Sequence, residues 1–151
     1  MEIKIYTDGA ARNNPGPAGW AAVVLEDGVI AKELGGRSSS ATNNQMELSA
    51  VIEGLKYAFE KYSKEEIHVF TDSAYTMNGI MTWIHGWKKN GWRTAAKKPV
   101  LNKELWQALD DVHKKLKVEW HKVKGHSGDE FNERADVIAT MFADNEFIEL
   151  M

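Results

Sequence analysis

Hydrophobic positions near the start of the chain recur every second residue, with Ile3 and Ile5 on one face and Lys4 and Tyr6 on the other, the period of a β-strand. This first segment, residues 2–7, runs into Asp8-Gly9. Residues 12–19, Arg-Asn-Asn-Pro-Gly-Pro-Ala-Gly, hold two of the three prolines and predict a loop. Two further β-favouring runs, 20–25 and 29–34, flank Glu26-Asp27-Gly28, and Asp-Gly between such runs predicts a hairpin. From Thr42 the period becomes helical: Thr42 with Gln45 reads as a capping box, and Val51, Leu55, Ala58 and Phe59 follow at helical spacing. Residues 67–71 predict a short strand ending at Asp72, and 73–89 a polar, aromatic-rich helix. After breaks at Gly91 and Pro99, 102–115 predict another helix and 118–123 a last strand. Ser127 with Glu130 reads as a second capping box, opening a closing helix with Ala135, Ile138, Ala139 and Phe142 as its apolar stripe. The order βββαβααβα predicts an α/β architecture, a five-stranded mixed sheet flanked by helices.

Length and composition narrow the picture. A chain of 151 residues, 43% hydrophobic and 27% charged, suits one domain, 1–151, with a sizeable core and excludes a disordered tail protein. No internal repeat or linker divides it. The absence of Cys removes thiolate metal sites and thiol nucleophiles and fits a reducing compartment. No apolar run reaches the length of a signal peptide or membrane span, so a cytoplasmic protein is the expectation; nothing in the sequence points to an obligate dimer, so a monomer is expected. The formal net charge of -3 gives no support by itself to a polyanionic partner.

Four acids change that reading. The two strands expected at the centre of the sheet end alike, Tyr6-Thr7-Asp8 and Phe70-Thr71-Asp72. If they are parallel, adjacent and in register, Asp8 and Asp72 leave one sheet edge about 5 Å apart, at the carboxyl ends of strands where sites in such sheets form. Asp also begins turns after strands, which is the plainer account of either residue alone. Glu47 precedes Val51 by four residues and Leu55 by eight, so it lies on or beside the stripe facing the sheet, where a carboxylate is costly unless it meets a cation. Asp136 sits similarly beside Ala135 and Ala139, the alternative being a flank position paired with Arg134 or a nearby Lys. Four converging acids suit hard cations, Mg²⁺ or Mn²⁺, rather than zinc. Two such ions about 4 Å apart can activate water and stabilise the leaving oxygen of a phosphoryl displacement, which predicts phosphodiester cleavage.

A second feature is local charge. Residues 81–103 carry six cations, Lys88, Lys89, Arg93, Lys97, Lys98 and Lys103, and no acid, interleaved with Trp83, Trp87 and Trp92. The remainder of the chain therefore carries 13 cations against 22 acids. Cations with flat aromatic faces suit a nucleic-acid groove, although each Trp singly also suits a core.

Five ordered motifs carry a resemblance: Tyr-Thr-Asp-Gly-Ala at 6–10, Thr-Asn-Asn-Gln-Met-Glu-Leu at 42–48, Thr-Asp-Ser at 71–73, Val-Lys-Gly-His-Ser-Gly at 123–128 and Asn-Glu-Arg-Ala-Asp at 132–136. Over essentially its whole length the chain resembles bacterial, single-domain type 1 ribonucleases H. The resemblance implies the ribonuclease H-like fold and an endonuclease that uses two Mg²⁺ ions to hydrolyse the RNA strand of RNA/DNA hybrids, leaving 5′-phosphate and 3′-hydroxyl ends. It carries metal-ligand roles onto Asp8, Glu47, Asp72 and Asp136, with Asp8 bridging both ions. It gives His126 a part in proton shuttling or product departure; taken without the family, His126 between glycines reads as an ordinary surface histidine. Residues 81–103 resemble the family's basic handle, which grips DNA through Trp83 and Trp87 together with Lys88, Lys89 and Trp92. Thr42 and Asn102 match positions holding a DNA phosphate, and Asn14, Asn43 and Asn44 positions addressing the RNA 2′-hydroxyls; Asn43 and Asn44 also suit helix capping. Two residues depart from the pattern: Ser40, where Arg is common and for which Arg37 could substitute, and Ala74, where many relatives have Gln. A non-cutting binding module on the same fold, and a nuclease of the same chemistry acting on DNA, are the alternatives. The four acids oppose the first, and the handle and asparagines the second.

Overall fold

The computed structural model describes residues 1–123 and 129–151. Five strands, β1 (Ile3–Ala11), β2 (Gly16–Glu26), β3 (Val29–Ala41), β4 (Glu66–Thr71) and β5 (Lys117–Lys122), form one sheet in the order β3-β2-β1-β4-β5. β1 to β3 are an antiparallel meander, and β4 and β5 join it in parallel. The hairpin at Asp27-Gly28 forms as expected: both residues take positive φ, 50° and 85°, as a two-residue turn between right-twisted strands requires.

The meander is longer than the sequence pattern predicts. β2 begins at Gly16 inside the expected loop, and β3 continues past 34 to Ala41. Pro17 is accommodated because the β2–β3 register shifts between Gly16 and Ala18, a bulge that spares the missing N–H a ladder position. The extended β2 then supplies hydrogen-bonding partners for Gly35 to Ser38, which lack an apolar alternation of their own.

Helix α1 (Asn43–Tyr62) begins with the expected reciprocal cap between Thr42 and Gln45. The expected helix over 73–89 is built as α2 (Ala74–Asn78), a π turn (Gly79–Trp83) and α3 (Ile84–Lys89). Trp106 of α4 (Lys103–His113) explains the glycine in that turn, since a Cβ on Gly79 would lie 1.9 Å from its ring. The second capping box is not what opens α5 (Glu130–Ala143). Glu130 is already the first helical residue, and the cap is Asp129, whose carboxylate accepts the N–H groups of Phe131 and Asn132; Ser127 lies outside the described residues.

One sheet face, with Ile3, Ile5, Val24, Ile67 and Val69, packs on α1 and α4; the other, with Tyr6, Ala21, Val23 and Leu25, packs on α5 through Ala135, Ile138 and Ala139. Residues 144–151 dock on this second layer. Met151 N–H donates to Glu33, Glu33 N–H donates to Met151 O, and Arg134 reaches Glu149 O. Among the described residues, no helix is long and apolar enough to cross a membrane.

Candidate active site

β1 and β4 are parallel neighbours with Tyr6 opposite Phe70, so the same register carries Asp8 and Asp72 off one edge. Gly9 allows α1 to reach that edge: a Cβ there would lie 2.5 Å from Glu47 N and 2.7 Å from the Met46 carbonyl carbon. The close approach sets Glu47 against the strand ends, and one carboxylate oxygen each from Asp8, Glu47 and Asp72 lies within 4.8 Å of the others. Asp136 comes from α5 on the opposite face and lines the same cleft of about 350 Å³. Its alternative partner, Arg134, turns instead to Glu33, at 2.6 and 2.9 Å.

Asp8 and Glu47 are 6% and 9% exposed, and Glu47 Oε2 has no hydrogen-bond partner. Burial, then the charges of Asp72 and Asp136, push the Asp8 carboxyl up to about 7. Burial and the charges of Asp8 and Asp72 likewise raise Glu47 well above the ordinary carboxylate range. This all-oxygen donor set, with a buried unsatisfied lone pair and repulsion to relieve, fits hard divalent cations.

The asparagines fasten this edge. Asn43 Oδ1 accepts Ala11 N–H at 2.7 Å, and Asn14 Oδ1 accepts Asn43 N–H at 2.9 Å. Asn43 therefore serves β1 rather than capping its own helix, and Asn43 and Asn44 both line the carboxylate cleft. Thr42 and Asn102 are brought together through Gln45: its N–H donates to Thr42 Oγ1 at 3.1 Å, and its carboxamide donates to Asn102 Oδ1 at 3.2 Å. Asn102, at φ 61°, in turn donates to the Tyr75 hydroxyl, which also accepts the Trp106 indole N–H at 3.0 Å. The bridging part of Gln45 and the anchoring part of Tyr75 were not readable from the sequence; Gln45 showed only as a cap, and Tyr75 as one aromatic in a helical stretch.

In the handle, Trp83 is 40% exposed, while Trp87 and Trp92 are half-buried and pack toward the core, Trp87 lying 5.4 Å from Trp106 between ring centroids. Trp83, Trp87 and Trp92 form a ladder with centroids 6.0 and 6.1 Å apart. Lys89 is exposed, and Lys88 forms an ion pair with Asp110 at 3.1 Å. His126 lies outside the described residues.

A mixed sheet that gathers carboxylates at the carboxyl ends of its central parallel strands, beside a cationic aromatic arm, is an α/β architecture with an acidic cleft suited to divalent cations. The RNase H family model matches residues 1–144. Ribonuclease H of Mesorhizobium japonicum is 54% identical over 138 residues, 91% of this chain and 76% of that protein. Ribonuclease H of Cupriavidus metallidurans is 52% identical over 139 residues, covering 92% and 93%. Among solved structures, LC9-RNase H1, described as a type 1 RNase H with the type 2 active-site motif, superposes with a TM-score of 0.85 at 27% identity, covering 99% of this chain and 76% of the other. LC11-RNase H1, solved in complex with an RNA/DNA hybrid, gives 0.74 at 25% identity, covering 95% and 98%. The chain belongs to the RNase H family, metal-dependent hydrolases that cleave the RNA strand of RNA/DNA hybrids.

Proposed function

We propose that the chain cuts the RNA strand at the carboxylate cleft, where Asp8, Glu47, Asp72 and Asp136 are the residues that would hold two Mg²⁺ ions. The observation that carries this is the forced proximity of acids at the strand ends, with Asp8 and Glu47 raised by burial and mutual repulsion. When bound, the ions supply the charge that activates water and stabilises the departing oxygen. The remaining work belongs to the chain. The Asn14–Asn43 link holds the β1 edge against α1, and Asn14, Asn43 and Asn44 offer carboxamides that both donate and accept, as a 2′-hydroxyl requires. The Thr42–Gln45–Asn102 chain presents a polar seat for a DNA phosphate, and Trp83, Trp87 and Trp92 with Lys88 and Lys89 grip the DNA strand. His126 assists proton transfer or product departure. The products are 5′-phosphate and 3′-hydroxyl ends, and the enzyme acts as a cytoplasmic monomer.

Labelled RNA/DNA hybrid, single-stranded RNA, duplex RNA and duplex DNA incubated side by side test this reading. The RNA of the hybrid should be cut in Mg²⁺ and spared in chelator. Equal cutting of duplex DNA would overturn the substrate assignment.

A further inference from the structure

We propose that the protein carries a second metal site, unrelated to the carboxylate cleft, in which His68, His121 and Glu119 bind a Zn²⁺-type dication and clip β4 to β5.

The three residues share the sheet face that α5 covers over β1, β2 and β3. β4 and β5 are parallel with His68 opposite Glu119 and Phe70 opposite His121, so period-two alternation aims all three side chains the same way. One ligand atom from each lies within 4.8 Å of the others. His68 Nδ1 and His121 Nε2 are 3.0 Å apart, and Glu119 oxygens lie 3.5 Å from the first and 3.9 Å from the second. A tetrahedral zinc with bonds of about 2.0–2.1 Å sets its ligands roughly 3.3–3.4 Å apart, so one ion can reach all three after small side-chain adjustments.

The surroundings prepare this arrangement. The Glu66 carboxylate lies 3.0 Å from His68 Nε2; a proton on that nitrogen leaves Nδ1 as a lone pair facing the site, the carboxylate–histidine arrangement that orients metal-bound imidazoles. His121 is held by a ring stack: its centroid lies 4.5 Å from Phe70 at 13°, and Phe70 lies 4.6 Å from Tyr6 at 10°. Two imidazoles and one carboxylate favour a borderline ion over Mg²⁺. The side chains of His68, His121 and Glu119 are 23%, 33% and 56% exposed, so the ion can enter and water can complete its shell. His68 precedes Asp72 by four residues, roughly 13 Å along the strand, so neither site shares a ligand with the other.

The test is a calorimetric titration of Zn²⁺ alone into the full chain in excess Mg²⁺, using Asp8→Asn so that the carboxylate cleft does not compete. One equivalent should bind, with affinity lowered at least about tenfold in His68→Ala and His121→Ala. Glu66→Gln, which removes no proposed ligand but loses the carboxylate at His68 Nε2, should weaken binding by roughly tenfold. Saturating Zn²⁺ should raise the melting temperature by about 5–10 °C at 100 times the dissociation constant, and not in His121→Ala. Imidazole NMR on the unmutated chain gives a readout that no folding defect can mimic, with shifts at His68 and His121. Undiminished binding in both histidine variants, shifts confined to His85, His113 or His126, or no saturable equivalent would overturn the proposal.

Discussion

Two kinds of buried carboxylate occur in this molecule, and they are treated oppositely. The Glu33 side chain is 1% exposed and meets Arg134 at 2.6 Å; that bond, joined by the Met151 N–H, holds its carboxyl below the ordinary range. Asp8 and Glu47 are buried against other acids and are pushed upward. The contrast separates a carboxylate paired for structure from carboxylates that the proposed function assigns to metal binding. Glu33 ties α5 and residues 149–151 to β3, whereas the cleft acids repel one another, a cost that a bound cation would relieve.

The largest effect should come from taking the cation away. Chelation should abolish cleavage of the hybrid, and Asp72→Asn should lower turnover roughly 10²–10³-fold, read in single-turnover assays, with hybrid binding largely kept. Arg134→Ala breaks the opposite kind of site. It strands Glu33 in the interior and should cost about 3 kcal/mol, read as a lowered urea midpoint, with turnover at 25 °C unchanged.

The two sites should also answer pH in opposite directions. Glu33 titrates lower in the folded state than in the unfolded one, so its stabilisation is present above the unfolded carboxylate range and is lost as pH falls through its folded value. Asp8 titrates higher when folded, so its contribution is present below pH 3.8 and is lost as pH rises to about 7. Metal-free protein should therefore lose stability between roughly pH 4 and 7, and Asp8→Asn should flatten that slope, as urea melts in chelator will show.

The smallest expected effect lies outside both carboxylate sites. Trp83→Ala should weaken hybrid binding by about 1 kcal/mol, and Lys89→Ala should reduce the salt slope of binding by about 0.9. Neither should alter the pH response of stability.

How much of this was legible in the sequence follows from distance along the chain. Asp8 and Asp72 could be paired because each ends a strand with the same local pattern, and Glu47 because helical periodicity fixes its face. The Glu33–Arg134 pair joins residues 101 positions apart, and no periodicity links them. His68 and His121 are 53 positions apart, which hid their meeting for the same reason. The glycine at 79 answers to the Trp106 ring, which leaves no room for a side chain there, and the early start of β2 depends on a partner strand that tolerates a bulge at Pro17. Local rules read Pro-Gly-Pro as a loop because they do not see that partner.

The most direct test of the central claim is one substitution measured two ways. In Asp8→Asn, hybrid cleavage at saturating Mg²⁺ should collapse by roughly 10²–10³-fold or more, while the melting temperature of the metal-free protein at pH 8 should rise, because a repelled buried charge is gone. Undiminished cleavage, or a fall in melting temperature like that expected of Arg134→Ala, would contradict the account.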